Sequence, residues 1–515
     1  MSKYSFHKLS MSLLCIVPAL MGQAQQTQPA KATKTRPNVI IIYADDLGWN
    51  QLSTYGNKKV QTPNIDAIGN GGVKFTQAYA TAPICSPSRV GLLTGRYQQR
   101  FGAEFLVPEL QSVAVTDPEL IEKIRVDAVA RKAVAEKVDT AGYKALRKGI
   151  PESELLIGQL FKQAGYATGA IGKWHVGEAD GLQPWKRGFD YYYGTLTWGT
   201  IYASVQDPNI LTKSYHFHTA QSKLTRREGS IQITRNGQIV EETAYITDRI
   251  GEEAVGFIDQ HKQDPFFLYV PFNAPHDPFQ AKKADFDKIT STTDTTERIY
   301  LAMIASLDEA VGRIVNKLKQ EGLEENTIIF FGSDNGGASY TNQMSNAPLK
   351  GGKLSHFEGG IRVPLLAKYP AKIKAGATYD YPVSNLDIFA TAVQAAGVSL
   401  PADRIYDGVD LVPYVNKANT ARPHETLYWR NGYSKAVRKG DWKLYINERN
   451  NKVLLYDLAS DPGEQHDQSA ANPAKIKELQ TALKQWEKQL AKPRWPSLRS
   501  EVIGELADAG YYFPI

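Results

Sequence analysis

The chain has 515 residues, a hydrophobic fraction of 42%, a charged fraction of 22% and a formal charge of +6. That length suffices for a large core, as one big domain with an appendage or as two domains, and the composition is that of an ordinary globular protein. The positive excess is weak and no dense Lys/Arg run or RNA-binding motif accompanies it, which argues against nucleic acid as a partner; a mildly basic surface does suit an anionic substrate.

Residues 1–24 read as an export signal. Lys3 and Lys8 make a positive start, Met11 to Met21 a short apolar run, and Gly22-Gln23-Ala24 a small-x-small cleavage site. The run is too short to span a bilayer, and no other segment is apolar enough to cross one. The expected location is therefore the periplasm or the extracellular space. Residues 25–36 are rich in Gln, Thr, Lys and Ala and read as a flexible lead-in.

Structure is expected from Pro37. Four apolar runs share one pattern: Val39–Tyr43 ends in Asp45-Asp46, Ala167–Ile171 in Lys173 and His175, Pro265–Val270 near His276, and Thr327–Phe331 in Asp334-Asn335. Continuous apolar runs of this length suit strands buried on both faces, as in a parallel sheet covered by helices. Polar residues just beyond them lie at the carboxyl ends of the strands, where open α/β sheets place their sites. Helices are predicted at Glu154–Ala164, closed by Gly165, and at Ile299–Leu318. This alternation predicts an α/β fold with a mostly parallel sheet. Residues 102–150, with a helix start at Asp117-Pro118-Glu119 and a charged stretch to Lys148, read as a helical insertion.

The texture changes near residue 421. Leu427-Tyr428-Trp429, Lys435–Arg438, Trp442–Tyr445 and Val453–Tyr456 are short strands separated by turn residues, which predicts a small antiparallel sheet. A closing helix from Asn472-Pro473 puts Ile476, Leu479, Leu483, Trp486 and Leu490 on one face. The expected organisation is thus a catalytic α/β domain over 37–420 and an α+β subdomain over 421–515.

The chain has two cysteines, Cys15 and Cys85, and cleavage of the signal would leave Cys85 alone. Its neighbours matter: Cys85-Ser86-Pro87-Ser88-Arg89 runs on to Thr94-Gly95-Arg96. Ser86 or Ser88 with Pro87 suits a helix start, which would put Cys85 where free N–H groups and the helix dipole favour an anion. Asp45, Asp46, Asp334 and Asn335 together offer three carboxylates and one amide oxygen, a hard donor set that selects Ca²⁺ or Mg²⁺ over zinc.

The segment from Cys85 to Arg96 resembles the signature of the formylglycine-dependent sulfatases, Cys-x-Pro-Ser-Arg followed by Thr-Gly-Arg. The words around Asp45-Asp46 and Asp334-Asn335 are similar to that family's metal segments. Gly172-Lys173-Trp174-His175, Asn273-Ala274-Pro275-His276 and Gly351-Gly352-Lys353, followed by Glu358–Pro364, resemble its Lys-x-His, Pro-His and last-lysine segments. The resemblance runs from Pro37 to Pro364 and more loosely beyond. It implies an alkaline-phosphatase-like fold and a sulfuric ester hydrolase. It also implies one calcium ion on Asp45, Asp46, Asp334, Asn335 and position 85, and a maturation enzyme that oxidises Cys85 to formylglycine. Arg89, Lys173 and Lys353 would stabilise the sulfuryl charge, His276 and Lys353 would lie on the leaving-group side, and His175 would assist position 85.

The expected substrate is a sulfated polysaccharide or glycosaminoglycan fragment. Two other functions compete: a phosphoester or phosphonate hydrolase on the same fold, and a non-catalytic glycan-binding relative. The second would be marked by loss of Cys85 or a metal ligand, and neither is lost. His216 and His218 stand as residues that either touch the sugar or lie on a surface strand.

Overall fold

The structure, a computed structural model, describes residues 36–107, 134–135, 148–213, 225–341, 343–497, 499–502 and 512–514. The expected signal segment, the lead-in before Arg36, most of the 102–150 stretch and both His216 and His218 lie outside the described residues.

All four apolar runs form strands. β1 (Asn38–Ala44), β3 (Ala167–Ile171), β5 (Phe266–Pro271) and β6 (Thr327–Ser333) are joined by β2 (Val73–Tyr79), β4 (Tyr191–Gly194) and β7 (Arg362–Lys368). In space the order is β2-β7-β6-β1-β5-β3-β4 within an 11-stranded sheet, completed by short strands at both edges. β6, β1, β5, β3 and β4 run parallel, while β7 is antiparallel to both β6 and β2. The sheet is therefore mixed and mostly parallel, as the sequence leads one to expect.

The reason is visible in β1. Ile40, Ile42 and Ala44 belong to one core cluster, and Val39, Ile41 and Tyr43 to the other. A two-residue period sends alternate side chains to opposite faces, so a strand apolar at every position needs cover on both sides. Helices α1 (Pro63–Asn70), α4 (Ile246–Gln260) and α5 (Thr295–Gln320) cover one face, and α2 (Cys85–Thr94), α3 (Ile157–Gln163) and α6 (Leu386–Ala396) the other.

Helix boundaries shift for local reasons. α3 is shorter than Glu154–Ala164 because the Gln159 side chain turns back to accept from the Leu156 N–H at 3.1 Å, which starts the helix at Ile157. α5 extends back to Thr295, where Asp294 caps it by accepting from the Glu297 N–H at 2.7 Å. α2 starts at Cys85 itself, with Ile84 as an N-cap that offers no side-chain bond, so neither Ser86 nor Ser88 caps it.

The C-terminal elements are β8 (Thr426–Asn431), β9 (Ser434–Lys439), β10 (Trp442–Asn447), β11 (Lys452–Asp457) and α7 (Pro473–Glu487). The four strands form one antiparallel sheet in chain order. Leu479, Leu483 and Trp486 of α7 are buried with Val437, Leu444 and Leu455 of that sheet. Among the described residues no helix is long and apolar enough to cross a membrane.

Candidate active site

The parallel strands bring their carboxyl ends to one edge, and the polar residues that follow meet there. Asp45, Asp46, Cys85, Arg89, Lys173, His175, His276, Asp334, Asn335 and Lys353 are all buried. The structure thus gathers every residue the sequence singled out for chemistry, apart from the two undescribed histidines.

The carboxylates are fixed first by backbone and cations. The Asp45 N–H donates to the Ala274 carbonyl at 3.1 Å, tying the ends of β1 and β5 together. Lys173 Nζ lies 2.6 Å from Asp45 Oδ2. Asp46 has a φ of 62°, a left-handed backbone stabilised here by its N–H donating to Asp334 Oδ1 at 3.1 Å. Such a conformation costs on the order of 1–3 kcal/mol and persists only where the surroundings enforce it. Asp46 Oδ1 accepts from Asn335 Nδ2 at 2.8 Å, and Asp46 Oδ2 from Lys353 Nζ at 2.8 Å. The Arg89 guanidinium, with no exposed surface, lies 2.7 Å from Asp334 Oδ2 and donates to the Lys173 carbonyl at 3.2 Å. It therefore orients a carboxylate and the Lys173 backbone at once.

Cys85 is the first residue of α2, and its Sγ lies 4.0 Å from Asp46 Oδ1. Burial pushes its thiol up to about 12, although Lys173 and Lys353 pull the other way. An unmodified Cys85 is accordingly a neutral thiol and a poor nucleophile near neutral pH.

His276 sits between two cis peptide bonds, Ala274–Pro275 and Asp277–Pro278. Its Nδ1 faces the Asp277 carbonyl and its Nε2 lies 3.1 Å from Lys353 Nζ. A carbonyl only accepts, so Nδ1 carries the proton and Nε2 accepts from the ammonium. Burial, and then the charges of Lys353 and Lys173, hold this imidazole well below the usual histidine range. His175 is held below the usual histidine range in the same way, by burial and by Lys173, Arg89 and Lys353, and its buried Nδ1 has no hydrogen-bond partner among the described residues. Lys353 is the reverse case: burial opposes its charge, but Asp46 holds it well above the usual lysine range.

The donor set suits a cation. One ligand atom each from Asp45, Asp46, Cys85 and His276 lie within 4.8 Å of one another. Among the described residues neither Asp45 Oδ1, which lies 3.5 Å from the Arg89 guanidinium, nor Asn335 Oδ1 has a hydrogen-bond partner, and both are buried. Unpaired buried oxygens are costly, and a hard cation would satisfy them. Asp334 belongs to the same cluster, with its oxygens already shared between Arg89 and the Asp46 N–H.

Two tight backbone contacts explain the glycine-rich words. A Cβ on Gly336 would meet the Gly359 carbonyl oxygen at 1.8 Å, and one on Gly360 the Ser355 carbonyl oxygen at 2.0 Å. The segment after Asp334-Asn335 and the one after Lys353 can be layered only without side chains there.

Comparison with known proteins gives the family. The sulfatase family model matches residues 37–398, and a model for the C-terminal region of N-sulphoglucosamine sulphohydrolase matches 352–493. The chain belongs to the sulfatase family. Its fold is the alkaline-phosphatase-like one, and it is a sulfuric ester hydrolase. N-acetylgalactosamine-6-sulfatase of Rattus norvegicus is 33% identical over 428 residues, covering 80% of this chain and 71% of that protein. The crystal structure of Ps i-CgsB in complex with k-i-k-neocarrahexaose is 34% identical with a TM-score of 0.75, covering 89% of this chain and 94% of that one. A phosphonate monoester hydrolase of Agrobacterium radiobacter, 20% identical with a TM-score of 0.57 over 88% of this chain and 96% of that one, shares the fold alone.

Sequence reasoning passed over three residues beside this sulfatase site. The Trp198 ring lies 5.9 Å from that of His276, Tyr340 acts electrostatically on Lys353, and His356 is buried three residues beyond Lys353. Trp198 and Tyr340 stand in no recognisable motif and carried no local signal. His356 stands three residues beyond the Gly-Gly-Lys word, and that proximity is its only local signal.

Proposed function

We propose that this sulfatase is an exported enzyme that removes sulfate from a sulfated polysaccharide or glycosaminoglycan fragment. The mechanism would use formylglycine at position 85, installed by a maturation enzyme, and one calcium ion. The observation that carries the reading is Cys85 at the start of α2, 4.0 Å from Asp46, inside a buried ring of Asp45, Asp46, Asp334, Arg89, Lys173 and Lys353. The three carboxylates and three cations cancel in formal charge. A divalent ion leaves the ring positive, which suits an anionic sulfate ester in a poorly solvated site.

Asp45, Asp46, Asp334 and Asn335, with position 85, would hold the ion. Calcium supplies Lewis acidity and a template for the sulfate oxygens. Formylglycine would supply, as its hydrate, two hydroxyls, one as the nucleophile toward sulfur and one left to restore the aldehyde.

The remaining work falls to the chain's own side chains. The N-terminus of α2 favours negative charge at position 85. Lys173 and Lys353 would lie beside the sulfuryl group and stabilise the negative charge that accumulates on its oxygens. Arg89 acts on the same charge while orienting Asp334. His175, neutral and with a spare ring nitrogen, can take a proton from position 85. Lys353 holds a proton against His276 Nε2, so the pair can deliver one to a departing sugar oxygen.

The relatives suggest which substrates to test. One is named N-acetylgalactosamine-6-sulfatase, and another was crystallised with k-i-k-neocarrahexaose. Sulfated galactose-type sugars are accordingly the first to test. The experiment is a screen of defined sulfated saccharides, including N-acetylgalactosamine 6-sulfate and neocarra-oligosaccharides, for released sulfate, run beside aryl sulfate and aryl phosphate. Release of sulfate from a saccharide supports the reading. Turnover of the phosphate with none of the sulfates would replace it with the phosphoester alternative.

A further inference from the structure

Lys353 belongs to no helix or strand; between Gly351 and Phe357 the chain is irregular. The Lys353 and Leu354 N–H groups donate to the Gly337 and Pro83 carbonyls at 3.0 and 2.7 Å, and a run of side-chain contacts ties the same segment to the C-terminal region. His356 pairs through Nδ1 with Ser434 Oγ at 2.9 Å and through Nε2 with Asn431 Oδ1 at 3.1 Å. Phe357 is stacked on Tyr445, with ring centroids 4.6 Å apart. Lys350, before Lys353, donates to the Glu464 carbonyl at 3.2 Å. Beneath them lies a charged cluster. Lys443 Nζ, on β10, is 2.9 Å from Glu358 Oε1 and 2.9 Å from Glu464 Oε1, and none of the three side chains has any exposed surface. Glu464 Oε2 accepts from the Glu358 N–H at 2.6 Å, and Glu358 Oε2 accepts from Tyr79 OH at 2.7 Å.

Burying two carboxylates on one ammonium, with the Arg362 guanidinium 3.7 Å from Glu358 Oε2, is expensive, and apolar residues of similar volume would often be as stable or more so. What ion pairs with hydrogen bonds provide, and apolar contact does not, is direction. Glu358 begins the turn Glu358–Ile361, whose glycines pack on the Asp334-Asn335 segment. A displacement of Glu358 would thus be passed to both sides of the active site. We propose that Lys443 is a positioning residue of this sulfatase: through Glu358 and Glu464 it fixes residues 350–358 so that Lys353 Nζ stays between Asp46 and His276. The C-terminal sheet then shapes the site while lending it no catalytic group. This inference rests on the role of Lys353 proposed above.

The test is a double-mutant cycle on the matured, calcium-loaded full chain, with 4-nitrophenyl sulfate and N-acetylgalactosamine 6-sulfate as probes. Near-ultraviolet circular dichroism and Tm report the folded fraction. Lys443→Met keeps the stem and removes the charge. It should lower kcat about ten- to a hundredfold, as small misplacements do, with KM nearly unchanged. In the Lys353→Ala background the same change should cost less than about threefold, because nothing remains to be positioned. Equal losses in both backgrounds would mark Lys443 as merely structural and overturn the proposal. An unaltered kcat for Lys353→Ala would remove Lys353 from the chemistry, and the positioning role with it. If Lys443→Met does not fold, Glu464→Gln is taken through the same cycle; its amide oxygen can still accept from the Glu358 N–H while its hold on Lys443 is lost.

Discussion

Lys353 Nζ stands 2.8 Å from an Asp46 oxygen and 3.1 Å from His276 Nε2. One ammonium thus bridges a carboxylate of the proposed metal site and the imidazole on the proposed leaving-group side. The proton shared between Lys353 and His276 is the one a leaving sugar alkoxide would need.

That arrangement makes leaving-group chemistry diagnostic. An aryl sulfate departs without a proton, and a sugar alcohol does not. His276→Ala should therefore lower kcat/KM on a sulfated sugar by about two to four powers of ten and on 4-nitrophenyl sulfate far less. Lys173→Ala should cost both substrates similarly, by about two to three powers of ten, since both transition states share the sulfuryl charge. Equal losses for His276→Ala would take it out of proton delivery and favour His175.

Cys85 should be found as formylglycine in active protein. Its thiol, pushed up to about 12 mainly by burial, is a poor nucleophile as it stands. Mass spectrometry of the tryptic peptide should show loss of sulfur and gain of an aldehyde or its hydrate. Cys85→Ser should abolish turnover, because one hydroxyl can accept sulfate but leaves no second to expel it. Full activity from unmodified thiol would rule this out.

One calcium ion per chain should bind at the cluster. Elemental analysis should recover it, and chelation should remove activity that calcium restores. Asn335→Ala removes an oxygen that has no hydrogen-bond partner among the described residues; it should weaken calcium binding in calorimetry. Undiminished activity in metal-free protein would exclude the ion from catalysis.

His356 should make stability depend on pH. Burial, with a smaller push from Lys443, holds it down to about 3 despite its bond to Asn431. A histidine depressed in the folded state contributes stability that is fully present above its unfolded value, near 6.5, and is lost as pH falls towards 3. Between pH 7 and pH 5 the loss from this residue should be about 2 kcal/mol, at roughly 1.4 kcal/mol per pH unit. His356→Gln should be less stable than the parent at pH 7, and that gap should narrow by pH 5 in denaturant melts. A gap that does not change with pH would show that His356 titrates normally.

Much of this molecule is readable locally. Asp45 and Asp46 follow a strand that is apolar at each position from Val39 to Ile42, and the two-sided burial such a run requires places them at a sheet edge. The Cys85 word marks a helix N-terminus, although neither of its serines caps it, and the late strands and α7 follow from short-range period and turns. These signals act over a few residues, so the sequence by itself determines the α/β class, the chemical inventory of the site and its family. The tertiary structure decided what no short window contains. Glu358, Lys443 and Glu464 are each an ordinary charged residue in their own segments, and only the docking of the C-terminal sheet makes them one buried cluster. Trp198 reaches His276, and His356 reaches Asn431 and Ser434, in the same way. The physical reason is that ion pairs and ring contacts depend on distance in space. A charge bears no mark of the partner that the fold will bring to it.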